Sequence, residues 1–232
     1  MSPTLVYEPY YPRTKRFRIS YFAEKVLLAI SMMNACTVVM TSSVLPTFAR
    51  MNQLAPWEAL SELIVPILFL WILVFFIIFE CMLNAIAELT YFADRQFYAD
   101  WWNSTTFDEF ARKWNKPVHE FLLRHVYIAS MHDHDLSKPA ATFATFLFSM
   151  LLHEMILATA FEMVQGWLFL FSLMQLPLIP LMRNPVFKGK RLGNLVFWWG
   201  TITGIPLVAV LYAKEYCRVN VCGGPAAAAH AA

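Results

Sequence analysis

Charge is what this sequence is short of. Asp, Glu, Lys and Arg make up 15% of its 232 residues, against about 25% in a soluble domain. Glycine is scarce too: seven residues and no internal repeat exclude solenoids, collagen-like arrays and flexible linkers. A net charge of +2, with no basic patch interleaved with aromatics, gives no footprint for nucleic acid. The four cysteines have no metal-ligand spacing and form no disulfide framework. A cleavable signal peptide is missing as well, because residues 1–24 are polar, aromatic and basic.

What the chain has in excess is apolar surface, at 59% hydrophobic and 16% aromatic residues. A bilayer-crossing helix needs about 20 mostly apolar residues, and residues 25–49, 60–80, 140–161 and 192–212 supply them. The second pattern continues through Leu89, too long for one straight span, so its end is expected to project into water. Residues 167–181 form a shorter fourth segment, with Pro177 and Pro180 predicting a kinked or re-entrant helix. The fold class expected is therefore an all-α, polytopic membrane protein with about five transmembrane helices and a cytosolic amphipathic-helix loop.

Basic residues gather on the cytoplasmic side of membrane proteins. Arg13, Lys15, Arg16 and Arg18 precede the first span; Arg95, Arg112, Lys113, Lys116, Arg124 and Lys138 lie in the middle loop; Arg183, Lys188, Lys190 and Arg191 precede the last span. The other side keeps Arg50, Lys214 and Arg218. Five spans that start inside and end outside satisfy this asymmetry. The chain then divides into a cytosolic basic and aromatic segment (1–24), two transmembrane helices (25–92), a cytosolic interfacial loop (93–137), three transmembrane helices (138–213) and a luminal tail (214–232).

The middle loop is rich in Trp, Phe and Tyr, which suit the headgroup boundary. Phe107, Phe110, Ala111 and Trp114 fall at helical spacing, predicting a short helix on the membrane surface. Residues 118–128 read as a second, partly buried helix. Asn103-Ser104-Thr105 is a glycosylation sequon that a cytosolic loop leaves unmodified. A simple interfacial anchor is an equally good reading of this loop from periodicity alone.

Ionisable groups within a span cost about 2.5–3.5 kcal/mol at the centre of a helix, which makes them candidates for function. His153 and Glu154 lie deep in the third span. At 100° per residue, Thr142, Thr145, Ser149 and His153 fall within an arc of ~80°, and Lys138 lies ~22 Å back along the axis. Such a stripe fits a tunnel with a phosphate-binding cation at its mouth and a base inside. It fits equally a row of side chains hydrogen-bonding neighbouring helices. Glu154 points 100° away from His153, either orienting it through a neighbour or pairing with another helix.

Several motifs fail. His153-Glu154 and His119-Glu120 lack the second histidine of a zinc-protease helix, and the run His132-Asp133-His134-Asp135 reads as a solvated loop, so no metal site is expected. Neither a glycine-rich phosphate loop nor a serine nucleophile elbow occurs. Five spans without inverted repeats do not build a transporter. Cys217 and Cys222, on the luminal side, admit a disulfide. The alanine-rich end, 223–232, carries no readable signal.

Phe97-Tyr98-Ala99-Asp100-Trp101-Trp102-Asn103 matches FYxDWWN, and here the chain resembles the sterol and diacylglycerol acyltransferase branch of the membrane-bound O-acyltransferase family. The likeness extends to Pro3-Thr4-Leu5-Val6-Tyr7 with Tyr11-Pro12-Arg13-Thr14, to Leu83-Asn84-Ala85 with Ala87-Glu88-Leu89, and to Arg112, Trp114-Asn115, Pro117-Val118-His119 and His153-Glu154. The stretch from Lys116 to Met131 is most similar to fungal sterol acyltransferases, which favours a sterol over diacylglycerol as acceptor.

The resemblance implies acyl transfer from a long-chain acyl-CoA to a sterol 3β-hydroxyl at the endoplasmic reticulum membrane, with His153 catalytic, Asn115 paired with it and Glu154 in support. It implies an acyl-CoA-binding side formed by Phe97, Tyr98, Asp100, Trp101, Trp102, Asn103, Arg112, Trp114, His119, Tyr127, Lys138 and Ser149. It requires no cofactor beyond acyl-CoA as co-substrate; the implied partners are a sterol or other lipid alcohol, the bilayer and further copies of the chain. Glu80 departs from the histidine that animal sterol enzymes tend to carry there, and its role is open. Full-length relatives have about nine spans, so the expectation is either a fragment or a chain that needs a partner to close its chamber. A truncated, non-catalytic membrane paralogue is the alternative from another class.

Overall fold

The computed structural model describes residues 10–220, leaving residues 1–9, Cys222 and the alanine-rich end outside the described part. Within it the chain is all-helical, and the only extended pairing is an isolated antiparallel bridge between Arg13 and Phe92. Two long helices open the fold: α1 (Ile19–Ala49) and α2 (Pro56–Leu89). A loop follows, carrying a 3-10 turn at Trp101–Asn103, then α3 (Phe107–Trp114) and α4 (Lys116–Leu122). Helix α4 is prolonged by a π-turn, Leu123–Ile128, and a last turn, Ala129–His132. Three apolar helices complete the chain: α5 (Lys138–Ala160), α6 (Trp167–Met182) and α7 (Arg191–Val219).

Helices α1, α2, α5 and α7 are long and apolar enough to cross a membrane. Helix α6 has 16 residues, or ~24 Å of rise against a hydrocarbon core of ~30 Å. It contains both expected prolines. Helix α2 has 34 residues, or ~51 Å of rise, so one end projects from the apolar layer as its sequence pattern predicts. Its start is fixed by Pro56 at the first helical position and by Glu58, whose carboxylate accepts from Ala55 N at 2.7 Å.

The first helix begins at Ile19, earlier than the predicted Lys25. A hydropathy reading stops at the charged residues, whereas the structure neutralises them. Arg18 at the N-cap of α1, and Tyr21 and Lys25 within it, meet Glu88, Asn84 and Glu80 on α2, rung by rung in antiparallel order. Both long helices contain a π-turn. In α1 it spans Met40–Val44, where Pro46 has no N–H to give to the ladder. In α2 it spans Ile77–Met82 and carries Glu80, and the Asn84 amide donates to the carbonyls of Phe79 and Glu80 there.

Helix α7 packs along α2, α1 lies against the other side of α2, and α5 leans on α6 and on the π-turn of α4. The buried apolar residues form two clusters. One, at the loop end, gathers Phe75, Phe79, Phe97, Trp101 and Phe197. The other joins Val44, Met51, Leu63, Val210 and Cys217. Cys217 is disulfide-bonded.

Candidate active site

The FYxDWWN segment is built into the loop-end core. Phe97 and Trp101 are 3% and 2% exposed, so their rings hold the loop on the bundle and present no open face. Trp101 meets Trp71, Phe75 and Trp114 with ring centroids 5.3, 5.3 and 4.9 Å away. Trp114 in turn stacks on Trp71 at 4.5 Å, with the planes 4° apart. Offset and edge-on aromatic contacts of this kind add ~0.5–1.5 kcal/mol each beyond the area they bury.

The polar members of the segment are tied down as well. Tyr98 donates its hydroxyl to Glu80 Oε2 at 2.9 Å, and burial together with this bond pushes its phenol up to about 12. Lys113 lies 3.2 Å from Asp100 and holds that carboxyl below its usual range, helped by the Asn103 amide. The Trp102 carbonyl accepts from Asn194 Nδ2 and Trp198 Nε1, both on α7.

Two backbone bonds on either side of Asn115 fix the elbow between α3 and α4 to this segment. Ala99 N donates to Lys113 O at 2.9 Å, and Lys116 N to Phe97 O at 3.0 Å. Asn115 caps α4, its Oδ1 accepting from Val118 N at 3.1 Å. Its Nδ2 donates to no other described residue. Asn115 and His153 share no hydrogen bond. Nearby, Arg112 pairs with Asp108 at 3.0 Å, and Arg183, at the end of α6, reaches the same carboxylate oxygen at 3.1 Å. Burial opposes ionisation of Asp108, but bonds from Thr106 and Arg183 outweigh it and hold its pKa down. Burial pushes His119 down.

The stripe on α5 divides into two parts. Thr142 and Thr145 turn their hydroxyls back onto the carbonyls of Lys138 and Ala141. Lys138 stands exposed at the start of the helix, without a carboxylate partner among the described residues. His153 is exposed farther along, and its Nδ1 lies 2.7 Å from the Ser149 carbonyl. A carbonyl only accepts, so Nδ1 donates to it, and in the neutral ring the lone pair is then on Nε2. This is the tautomer a general base needs. Leu151, Leu152, Met155 and Ile156 are exposed around it, so this face of α5 is covered by no other described element. Tyr127 lies half-buried in the π-turn that packs on α5.

Glu154 points the other way and is 7% exposed. Its carboxylate accepts from Gly166 N at 2.7 Å and Phe169 N at 3.0 Å, capping α6, and also from the Tyr212 hydroxyl on α7. Of the two readings of Glu154, pairing with other helices is the one the structure adopts. Glu80 also acquires a place: it joins α1 to the FYxDWWN loop through Lys25 and Tyr98. Neither role was visible from one residue, although the spacing of Glu80, Asn84 and Glu88 at four-residue intervals marks one face of α2.

Residues 1–214 match the sequence profile of the membrane-bound O-acyltransferase family. The chain is 41% identical to sterol O-acyltransferase 2 of Candida albicans, over 91% of this chain and 37% of that protein. It is 40% identical to a probable sterol O-acyltransferase 1 of Schizosaccharomyces pombe, over 90% of this chain and 41% of the relative. Diacylglycerol O-acyltransferase 1 of Dictyostelium discoideum is 34% identical, over 94% of this chain and 36% of its own length. The chain thus spans roughly two fifths of these relatives. With four apolar helices of bilayer-crossing length and a profile match over nearly its whole extent, the chain belongs to the membrane-bound O-acyltransferase family.

Proposed function

We propose that this chain carries the catalytic histidine of an acyl-CoA-dependent sterol O-acyltransferase of the endoplasmic reticulum membrane. The observation that carries the reading is the bond from His153 Nδ1 to the Ser149 carbonyl, which leaves Nε2 as an acceptor in an apolar setting. The identity to fungal sterol O-acyltransferases supports a sterol as acceptor.

In this reading acyl-CoA enters from the cytosol with its phosphates near Lys138 and its thioester at the depth of His153. The sterol 3β-hydroxyl arrives from the bilayer. Its oxygen attacks the thioester carbonyl as Nε2 takes its proton; the C–O bond forms, the C–S bond breaks, and the proton passes to the leaving sulfur, giving ester and CoA thiol. General-base help of this kind contributes about 10²–10⁴-fold. Asn115 Nδ2, free of other described partners, donates to the developing oxyanion, a contribution of about 10²–10³-fold. No covalent acyl-enzyme and no cofactor take part.

Diacylglycerol is the second acceptor to consider, because the chain is also 34% identical to the Dictyostelium diacylglycerol O-acyltransferase 1. The deciding experiment places this chain in the matching segment of the Candida albicans relative and expresses it in acyltransferase-deficient cells. Their microsomes are given radiolabelled oleoyl-CoA with sterol or diacylglycerol. Sterol ester as the main product supports the proposal. Triacylglycerol as the main product replaces the acceptor, and no ester from either lipid, with the protein stably expressed, removes the activity.

A further inference from the structure

The end of the bundle where α1 begins and α2 stops carries a wide-open surface concavity of about 580 Å³ lined by Arg13, Thr14, Lys15, Arg16, Arg18 and Arg95, with Ala93. Two backbone bonds fix the segments that line it to each other: Thr14 N donates to Tyr91 O at 2.9 Å and Ala93 N to Pro12 O at 3.0 Å. Tyr91 adopts a φ of 58° to allow this, a conformation that costs a non-glycine residue energy and needs the surrounding contacts to hold it.

Charge in the pocket is largely uncompensated. Arg18 and Arg95 share the single carboxylate of Glu88, each at 2.7 Å. Arg13, Lys15 and Arg16 form no ion pair among the described residues. Arg95 Nη1 is close to Glu88, yet neither Nη1 nor Nη2 makes a hydrogen bond of good geometry, and Thr14 Oγ1 is buried without a partner. Five cations against one carboxylate suit a ligand with a compact anionic oxygen cluster.

We propose that this pocket binds the phosphate of an anionic lipid headgroup. Position selects the lipid. Four of the five lining cations immediately precede α1, whose first residue Ile19 is 75% exposed, and Tyr10 beside them is 92% exposed, so apolar and aromatic side chains flank the cations at the mouth of a span. Basic pockets at the cytosolic ends of membrane helices recognise acidic headgroups, at about 1 kcal/mol per Lys or Arg. None of the lining residues belongs to α4 or α5, so the pocket shares no group with the His153 stripe.

The test uses the purified chain in neutral detergent and a short-chain fluorescent phosphatidylserine, with the matching phosphatidylcholine as control. The expected result is preferential binding of phosphatidylserine by the wild-type chain. Binding falls about 5-fold for each cation removed and on the order of 30-fold in R13Q/R16Q. K188Q/K190Q, which removes the same charge elsewhere, leaves binding unchanged. Equal binding of the two lipids by the wild-type chain overturns the proposal. So do equal losses in both double variants, or competition by coenzyme A or inorganic phosphate in the absence of any preference for the anionic lipid.

Discussion

Tyr98 and Glu80 are hydrogen-bonded at 2.9 Å, and the other oxygen of that carboxylate receives Lys25 at 2.7 Å. One side chain thereby connects the first helix, the second helix and the loop that carries FYxDWWN. Lys25 is 8% exposed and so depends on its partner. The pair is only partly buried, so removing one member costs less than the ~3–5 kcal/mol of a fully buried pair. E80Q and K25M are each expected to lower the thermal midpoint in detergent, and K25M/E80Q to lose less than the sum of the two. Strict additivity in this cycle would show that the pair is not coupled.

Glu154 is expected to behave as a cap rather than as part of the reacting site. Glu154→Gln keeps one acceptor oxygen and turns an NH2 toward the N–H of either Gly166 or Phe169, which use different carboxylate oxygens. Loss of one such bond, at about 1.4 kcal/mol, corresponds to tenfold faster hydrogen exchange of the amide left without its acceptor. Exchange that stays at the wild-type rate would contradict the role.

At Gly193 the last helix approaches the loop closely. A Cβ there would lie 2.3 Å from the Phe187 carbonyl oxygen and 2.6 Å from that of Thr105. Gly193→Ala is expected to cost about 1–3 kcal/mol through forced backbone movement. Gly204, also in α7, meets nothing within 4 Å. Gly204→Ala is therefore neutral or stabilising by up to ~1 kcal/mol. Thermal unfolding of the two variants side by side checks the contrast.

Asp108 joins α3 to Arg183 at the end of α6. Its folded pKa lies below the unfolded value of about 3.9. The stabilisation it gives is fully present above that pH and is lost as pH falls through the lower, folded value. The wild-type chain should therefore lose stability below about pH 4 more steeply than D108N, measured as thermal midpoint against pH. Parallel acid limbs would contradict this.

Much of the fold was legible because apolar runs of bilayer length leave few alternatives, and α3 follows from the spacing of Phe107, Phe110 and Trp114. The start of α1 was not legible. Hydropathy treats Arg18 and Lys25 as terminators, and only their partners Glu88 and Glu80, more than fifty positions away, place Arg18 at the N-cap and Lys25 inside the helix. Within the site, the direction of His153 along the stripe could be read from helical geometry, but its tautomer could not, because that depends on the Ser149 carbonyl. The buried rings of Phe97 and Trp101 are a further case. A motif in a loop reads as ligand-binding surface, and packing against Trp71 and Phe75 turns part of it into core.

The central claim is that Nε2 of His153 takes the acceptor's proton. It is tested by the rate of CoA release with sterol present, for the wild-type chain and for His153→Ala in the Candida albicans chimaera at matched expression. A fall of about 10²–10⁴-fold, with the thermal midpoint unchanged, is the predicted result. A variant that releases CoA and forms sterol ester at the wild-type rate would contradict the account.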